Sequence, residues 1–471
     1  MFDQYKTIRL GGVLSGAVFA LLGCASGPPE IIPITEVFAN DPEIERLRYF
    51  QEIKATEALR EHGVDGSGVL VTIMGEAVDV GHPDLRNRVV SQYSAFVEKD
   101  KLLKGQGNRL YKDELYAEND GHGTHIAGTI AAECDGIGLQ GVACGAKLTV
   151  YDIGTYDNTE RFGLRGWGDD SMESRLIQSF ETSIRDVTQR HESRIATGSF
   201  NIETPAYRVV NEGPLVGLSV DEILSLAEKN LRKVEELFSK GFVRLESPEK
   251  EAEAVSLLKE AEGDPREFAL GFLLQYSTEW ENLIQALADY QAGDGLYIVT
   301  ESNAVFGDHS SLLNALPSLD DRIDPDLWIT ISMVAPEDMD SAVDDEGNVT
   351  VGKYISPINP CGKMAADYCI VTPSYLVLST MTERVAFWGG PPLLEVEGRL
   401  YQPLEGHSMG APMVAAALAL MQERNQRDNL GYSMKEMAMI LKENANREFP
   451  GYDPVKHGRG MLDVKAALDA M

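Results

Sequence analysis

Two short segments gather residue types that can do chemistry. One runs Asp120, Gly121, His122, Gly123, Thr124, His125; the other runs Gly406, His407, Ser408, Met409, Gly410, Ala411, Pro412. Each reads as the entrance to a helix, where backbone N–H groups lack intrahelical partners and face outward. A hydroxyl can attack a carbonyl carbon and an imidazole can carry the proton, which is the chemistry of acyl transfer. Gly406, Ser408 and Gly410 also fit the Gly-x-Ser-x-Gly nucleophile elbow of lipases and esterases, with Asp453 and His457 following in nominal triad order. No clear strand reads into that segment from Tyr401 to Glu405 and little chain follows it, so the context speaks against an elbow.

The elements around these segments read as strand, loop, helix, repeated. Apolar β-rich runs at Val69–Met74, Lys147–Ile153, Arg194–Phe200 and Leu296–Thr300 alternate with helical patterns from His122, over Met172–Arg190 and over Trp280–Tyr290. Further strands are expected at Trp328–Val334 and Tyr375–Leu378, then helices at Ser408–Glu423 and Ser433–Asn446, and a last strand-like piece at Gly460–Val464. Such alternation predicts a mostly parallel sheet covered by helices. Between about 203 and 275 it stops, and charged helical segments with apolar residues three and four apart take over, reading as a helical insertion.

In their order and wording the two chemical segments resemble the subtilisin-like serine protease family. Its members carry His-Gly-Thr-His-Val-Ala-Gly around the general base and Gly-Thr-Ser-Met-Ala-x-Pro around the nucleophile. The similarity runs from about Gly66 to Leu468, through Gly141, Val142, Ala143 and Leu148, with Cys144 where Pro is usual. The resemblance implies an α/β, three-layer subtilisin-like fold, with Ser408 as nucleophile and His122 as base. It also implies that Asn303, after Ser302, helps form the oxyanion hole, and that Ser199, Phe200 and Asn201 form the strand that pairs with substrate. Asn359, Cys361, Gly362, Asp367 and Cys369 are similar to a cysteine pair in bacterial autotransporter-type members.

The departure lies at the acid. The family reads apolar strand, Asp-Thr/Ser/Asp-Gly, then His-Pro-Asp-Leu; here Met74 is followed by Gly75, Glu76, Ala77, Val78 and Asp79 before His82, Pro83, Asp84, Leu85. Counting back from His82 puts Gly75 at the aspartate position. Losing the acid alone from such a triad costs about 10⁴ in kcat, less than losing the serine or histidine, a figure that itself comes from a member of this family. Glu76 is the surrogate to test, but neighbouring residues on a strand face opposite ways, so it needs a bulge or a turned chain to reach the imidazole. Asp79 is a further carboxylate close by. Gly410 and His407 stand where the family has Ala and Thr, and His407 faces away from its neighbour's hydroxyl.

The rest of the composition narrows the setting. With 42 Lys+Arg against 74 Asp+Glu the net charge is −32, which disfavours nucleic acid and anionic membrane as partners. Lys6 and Arg9 precede an apolar run from Gly11 to Gly23 and then Cys24. That pattern resembles a bacterial lipoprotein signal at 1–23, with lipid on Cys24, a tether over 24–50 and the peptidase domain over 51–471. In an exported chain, Cys134 with Cys144 and Cys361 with Cys369 are disulfide candidates, although spacing leaves three pairings open. The expected function is a lipid-anchored serine endopeptidase of the cell envelope, in the periplasm or at the surface, acting on protein or peptide substrates. The alternative is a subtilisin-fold binding or scaffold protein that no longer cleaves. No cofactor is expected and no metal ligands are assigned; dispersed acids leave structural calcium open.

Overall fold

The computed structural model describes residues 31–33, 48–98, 101–104, 120–153, 170–190, 193–200, 278–301, 312–336, 354–355, 360–382 and 393–471. The signal segment, Cys24, Asn201, Asn303 and the insertion at 203–275 lie outside them. In chain order the strands are β1 (Ile31–Pro33), β2 (Leu70–Gly75), β3 (Val89–Glu98), β4 (Lys101–Lys104), β5 (Lys147–Asp152), β6 (Ile195–Gly198) and β7 (Leu296–Thr300). They continue with β8 (Trp328–Met333), β9 (Ala335–Pro336), β10 (Tyr354–Ile355), β11 (Cys369–Thr372), β12 (Val377–Thr380), β13 (Leu393–Val396) and β14 (Arg399–Leu404).

The central sheet has the order β11-β8-β7-β6-β2-β5-β3-β4. All neighbours are parallel except the β3–β4 edge pair. Strands covered on both faces must be apolar throughout, and β6, β7 and β8 are buried along their whole length. Val71 and Ile73 of β2 enter one core with helices Asp120–Ala131 and Ala411–Arg427, while Met74 enters the other with Phe180 and Leu283. Helix Ala411–Arg427 is buried without interruption from Ala411 to Met421, as an element apolar on every side must be. The fold class is therefore α/β with helices on both faces of a mostly parallel sheet.

Strand β2 lies between β5 and β6, and the chain leaves it first toward one edge and then toward the other. Such a switch point opens a crevice at the carboxyl ends of the strands. Gly75, Ser199 and Glu301 all stand at or just after those ends.

Several expectations need correction. Gly460–Val464 is not a strand: Met461 makes isolated bridges to Val371 and Asn446. A strand does enter the Gly406 segment, because β14 runs to Leu404, but it belongs to a separate sheet of order β1-β13-β14-β12 and is antiparallel to β12 and β13. That is not the strand of a central parallel sheet that an elbow needs. Within the expected tether, Ile31–Pro33 pairs in parallel with Leu393–Glu395, and a helix already begins at Arg48. Helix Ala411–Arg427 starts after a 3₁₀ turn at His407–Met409 that holds Ser408.

The cysteines pair as Cys134–Cys144 and Cys361–Cys369, closing loops of 10 and 8 residues. Loops of this size contribute about 2–3 kcal/mol by restricting the unfolded chain. Replacing Cys134 and Cys144 together by serine should lower unfolding stability by about that amount. Urea denaturation should show it as a lower midpoint.

Candidate active site

Strand alternation puts residue 75 on the face of helix Asp120–Ala131 and residue 76 on the opposite one. The chain resolves this by bending at Glu76, immediately after β2 ends. The Glu76 carboxylate then turns back and accepts from His122 Nδ1 at 2.7 Å. Its side chain is only 3% exposed against 23% for the imidazole, so the carboxylate is sealed behind the ring. A carboxylate only accepts, which fixes the tautomer: Nδ1 carries the hydrogen and Nε2 is left to take a proton.

Close backbone approach makes this contact geometrically feasible. A β-carbon at Gly123 would lie 2.2 Å from the Ala77 carbonyl oxygen and 2.7 Å from that of Glu76. Only glycine lets the first turn of the helix sit against the bend. A β-carbon at Gly75, by contrast, would meet nothing within 4 Å. The space is open there, and the carboxylate comes from the next residue.

The helix is gripped from its other side by β12 and β14. Thr380 Oγ1 donates to the Thr124 carbonyl at 2.7 Å and Ser379 Oγ to the His125 carbonyl at 2.8 Å. His125 Nε2 bonds the carbonyls of Val377 at 2.8 Å and Gln402 at 3.1 Å. Burial pushes the His125 ring down to about 3, so it is a neutral anchor and not a base. For His122, burial alone disfavours the charged ring, but the charge and hydrogen bond of Glu76 outweigh it and raise its pKa above the ordinary 6.5.

Ser408 sits on the 3₁₀ turn, which packs against helix Asp120–Ala131. Its Oγ donates to the Ser199 carbonyl at 3.4 Å, and Ser199 Oγ donates to the Ser408 carbonyl at 2.9 Å. The end of β6 and the Ser408 turn therefore hold each other. Phe200, expected beside substrate, turns its ring inward, 6% exposed and edge-on to Phe180 at 5.2 Å. Asn201 and Asn303 are outside the described residues.

The glycine at 410 has a local cause. An alanine β-carbon there would lie 2.0 Å from Thr372 Oγ1 and 2.6 Å from Ser374 Oγ, two hydroxyls that bond each other at 2.6 Å. Sequence reading marked Gly410 as a departure without seeing these partners, because nothing in the spacing of Thr372 and Ser374 points to residue 410. Among the described residues one His/Cys/Asp/Glu group is tight enough for a metal, Asp65 with Cys134 and Cys144. Both sulfurs there are spent on a disulfide. No described helix is long and apolar enough to cross a membrane.

Residues 66–187, which include Glu76 and His122, match the subtilase family model. Over these residues the chain is similar to that family. The chain is 35% identical over 128 residues to fervidolysin of Fervidobacterium pennivorans, covering 27% of this chain and 17% of that protein. It is 36% identical over 167 residues to subtilisin E of Bacillus subtilis, covering 35% of this chain and 37% of that one. The crystal structure of fervidolysin, a keratinolytic enzyme related to subtilisin, superposes with a TM-score of 0.53 at 19% identity. That superposition covers 92% of this chain and 47% of the other. The shared fold thus extends well beyond the matched sequence, and the chain spans less than half the length of each of these relatives.

Gly410→Ala should cost about 1–3 kcal/mol through overpacking. Adding Thr372→Ala and Ser374→Ala, which remove the two obstructing hydroxyls but leave Ile331 Cγ2 at 2.8 Å, should recover part of the loss in thermal unfolding.

Proposed function

We propose that this chain is a serine endopeptidase whose triad is Ser408, His122 and Glu76, with glutamate from the position after the usual acid. The observation that carries the reading is the 2.7 Å bond from His122 Nδ1 to a buried Glu76 carboxylate. Ser408 attacks the scissile carbonyl while His122 Nε2 takes the hydroxyl proton, and the imidazolium returns it to the leaving amine. Glu76 holds the tautomer and stabilises the charged ring without itself being protonated. The oxyanion is bound by the Ser408 backbone N–H and by Asn303, a role supported by the resemblance of the Ser302-Asn303 segment. Protein or peptide substrates follow from the family's chemistry.

We also propose export and lipid attachment at Cys24, supported by Lys6, Arg9 and the apolar run that precedes the cysteine. In a bacterial host the chain should fractionate with membranes, and Cys24→Ser should release it to the soluble fraction.

The catalytic reading is tested with a fluorophosphonate probe. Wild type should label and Ser408→Ala should not; an unlabelled wild type would leave the non-cleaving binding protein as the better reading. Glu76→Gln should label about 10²–10⁴-fold more slowly, as loss of a triad acid does. The pH profile gives the sign. The base works only when neutral, so wild-type labelling should rise with pH through an inflection above 6.5. With Glu76→Gln the opposing effect of burial remains, and the inflection should fall to lower pH. An unmoved inflection would remove Glu76 from the triad.

A further inference from the structure

Away from the triad, one buried cation gathers oxygens from segments distant in sequence. Arg399, at the start of β14 and 8% exposed, forms an ion pair with Asp84 Oδ1 at 2.7 Å without a hydrogen bond to it. It also donates to both carboxylate oxygens of Asp135, at 2.9 and 2.6 Å, and to the Ile137 carbonyl at 2.6 Å. The two residues that follow add to the same contact: His82 Nε2 bonds the Leu400 carbonyl at 3.0 Å, and Tyr401 OH donates to Asp84 Oδ2 at 2.7 Å. Asp84 is fully buried. Burial drives its carboxyl up to about 6 against the pull of Tyr401 and Arg399, so it would not stay ionised easily without them.

The three segments joined here are the ones that carry the triad. Asp84 lies in the turn that follows the Glu76 bend. Asp135 and Ile137 follow the end of the helix that carries His122, and β14 runs on to the Ser408 turn. A planar guanidinium with donors in a fixed fork fixes direction as well as distance, which a lysine cannot do.

We propose that Arg399 is a positioning residue for catalysis, a single buried guanidinium that sets the acid, base and nucleophile segments relative to one another. The proposal rests on the triad reading above. A loss of register of about 1 Å at a reacting pair costs up to roughly a hundredfold in rate. A clamp that merely stabilised the fold would change the unfolding temperature and leave the site's electrostatics untouched.

The test is the imidazole titration of His122, followed by NMR alongside fluorophosphonate labelling, in wild type, Glu76→Gln and Arg399→Ala. In folded Arg399→Ala, the His122 pKa should drop toward its value in Glu76→Gln and labelling should slow roughly ten- to hundredfold. Guanidinium ion, added far below denaturing concentration, should restore both in Arg399→Ala and neither in Glu76→Gln. A folded Arg399→Ala with wild-type His122 titration overturns the proposal. If Arg399→Ala does not fold, Asp135→Asn frees only the grip on the loop after the His122 helix; it should give a smaller change of the same sign, and no change overturns the proposal. A wild type that never labels would sink the catalytic reading, while the titration would still decide whether Arg399 sets the Glu76–His122 contact.

Discussion

The site depends on one hydrogen bond, from His122 Nδ1 to Glu76. Without a buried acceptor at Nδ1 the imidazole has no fixed tautomer, and burial alone would depress its basicity. With it, the ring keeps Nε2 available and holds a proton more tightly than free histidine. Everything close by serves that contact: the bend that ends β2, the missing side chain at Gly123 and the hydroxyls of Ser379 and Thr380 that anchor the first turn of the helix.

Moving the acid by one residue is a larger structural change than it looks. On a strand a shift of one position reverses the face, so Glu76 on a straight β2 would point toward Met74's core and away from His122. The reach comes from combining the bend with one more methylene than aspartate has. At Gly75 the space beside the strand is open.

The mostly parallel sheet was legible because β2, β6, β7 and β8 are short runs rich in apolar residues that alternate with helical patterns, and both motif segments stood out by their glycines. The expected Leu296–Thr300 strand coincides with β7. What the sequence concealed were contacts made only in three dimensions. β14 escaped notice because Pro403 and Glu405 break its apolar pattern, although its pairing with β12 and β13 is regular. Thr372 and Ser374 as the reason for Gly410, and Arg399 between Asp84 and Asp135, pair residues too far apart for any spacing rule. Glu76 was visible as a candidate, but the bend that turns it toward His122 was not.

On the proposed mechanism, the Glu76–His122 pair cannot be what holds the site together during turnover. A histidine whose pKa is raised on folding contributes stability that is fully present below its unfolded pKa and fades as pH rises through the folded one. For His122 that loss occurs above 6.5, the same range in which the ring becomes neutral and able to act as a base. Under working conditions the charge attraction has gone and one hydrogen bond to a carboxylate remains. Geometry must then come from contacts that do not titrate in that range: the helix turn seated on the Glu76 and Ala77 carbonyls at Gly123, the strand hydroxyls on the Thr124 and His125 carbonyls, and the mutual Ser199–Ser408 bonds. On the proposed mechanism, the attraction between Glu76 and a charged ring returns when His122 takes the serine proton, which is when the reaction needs it.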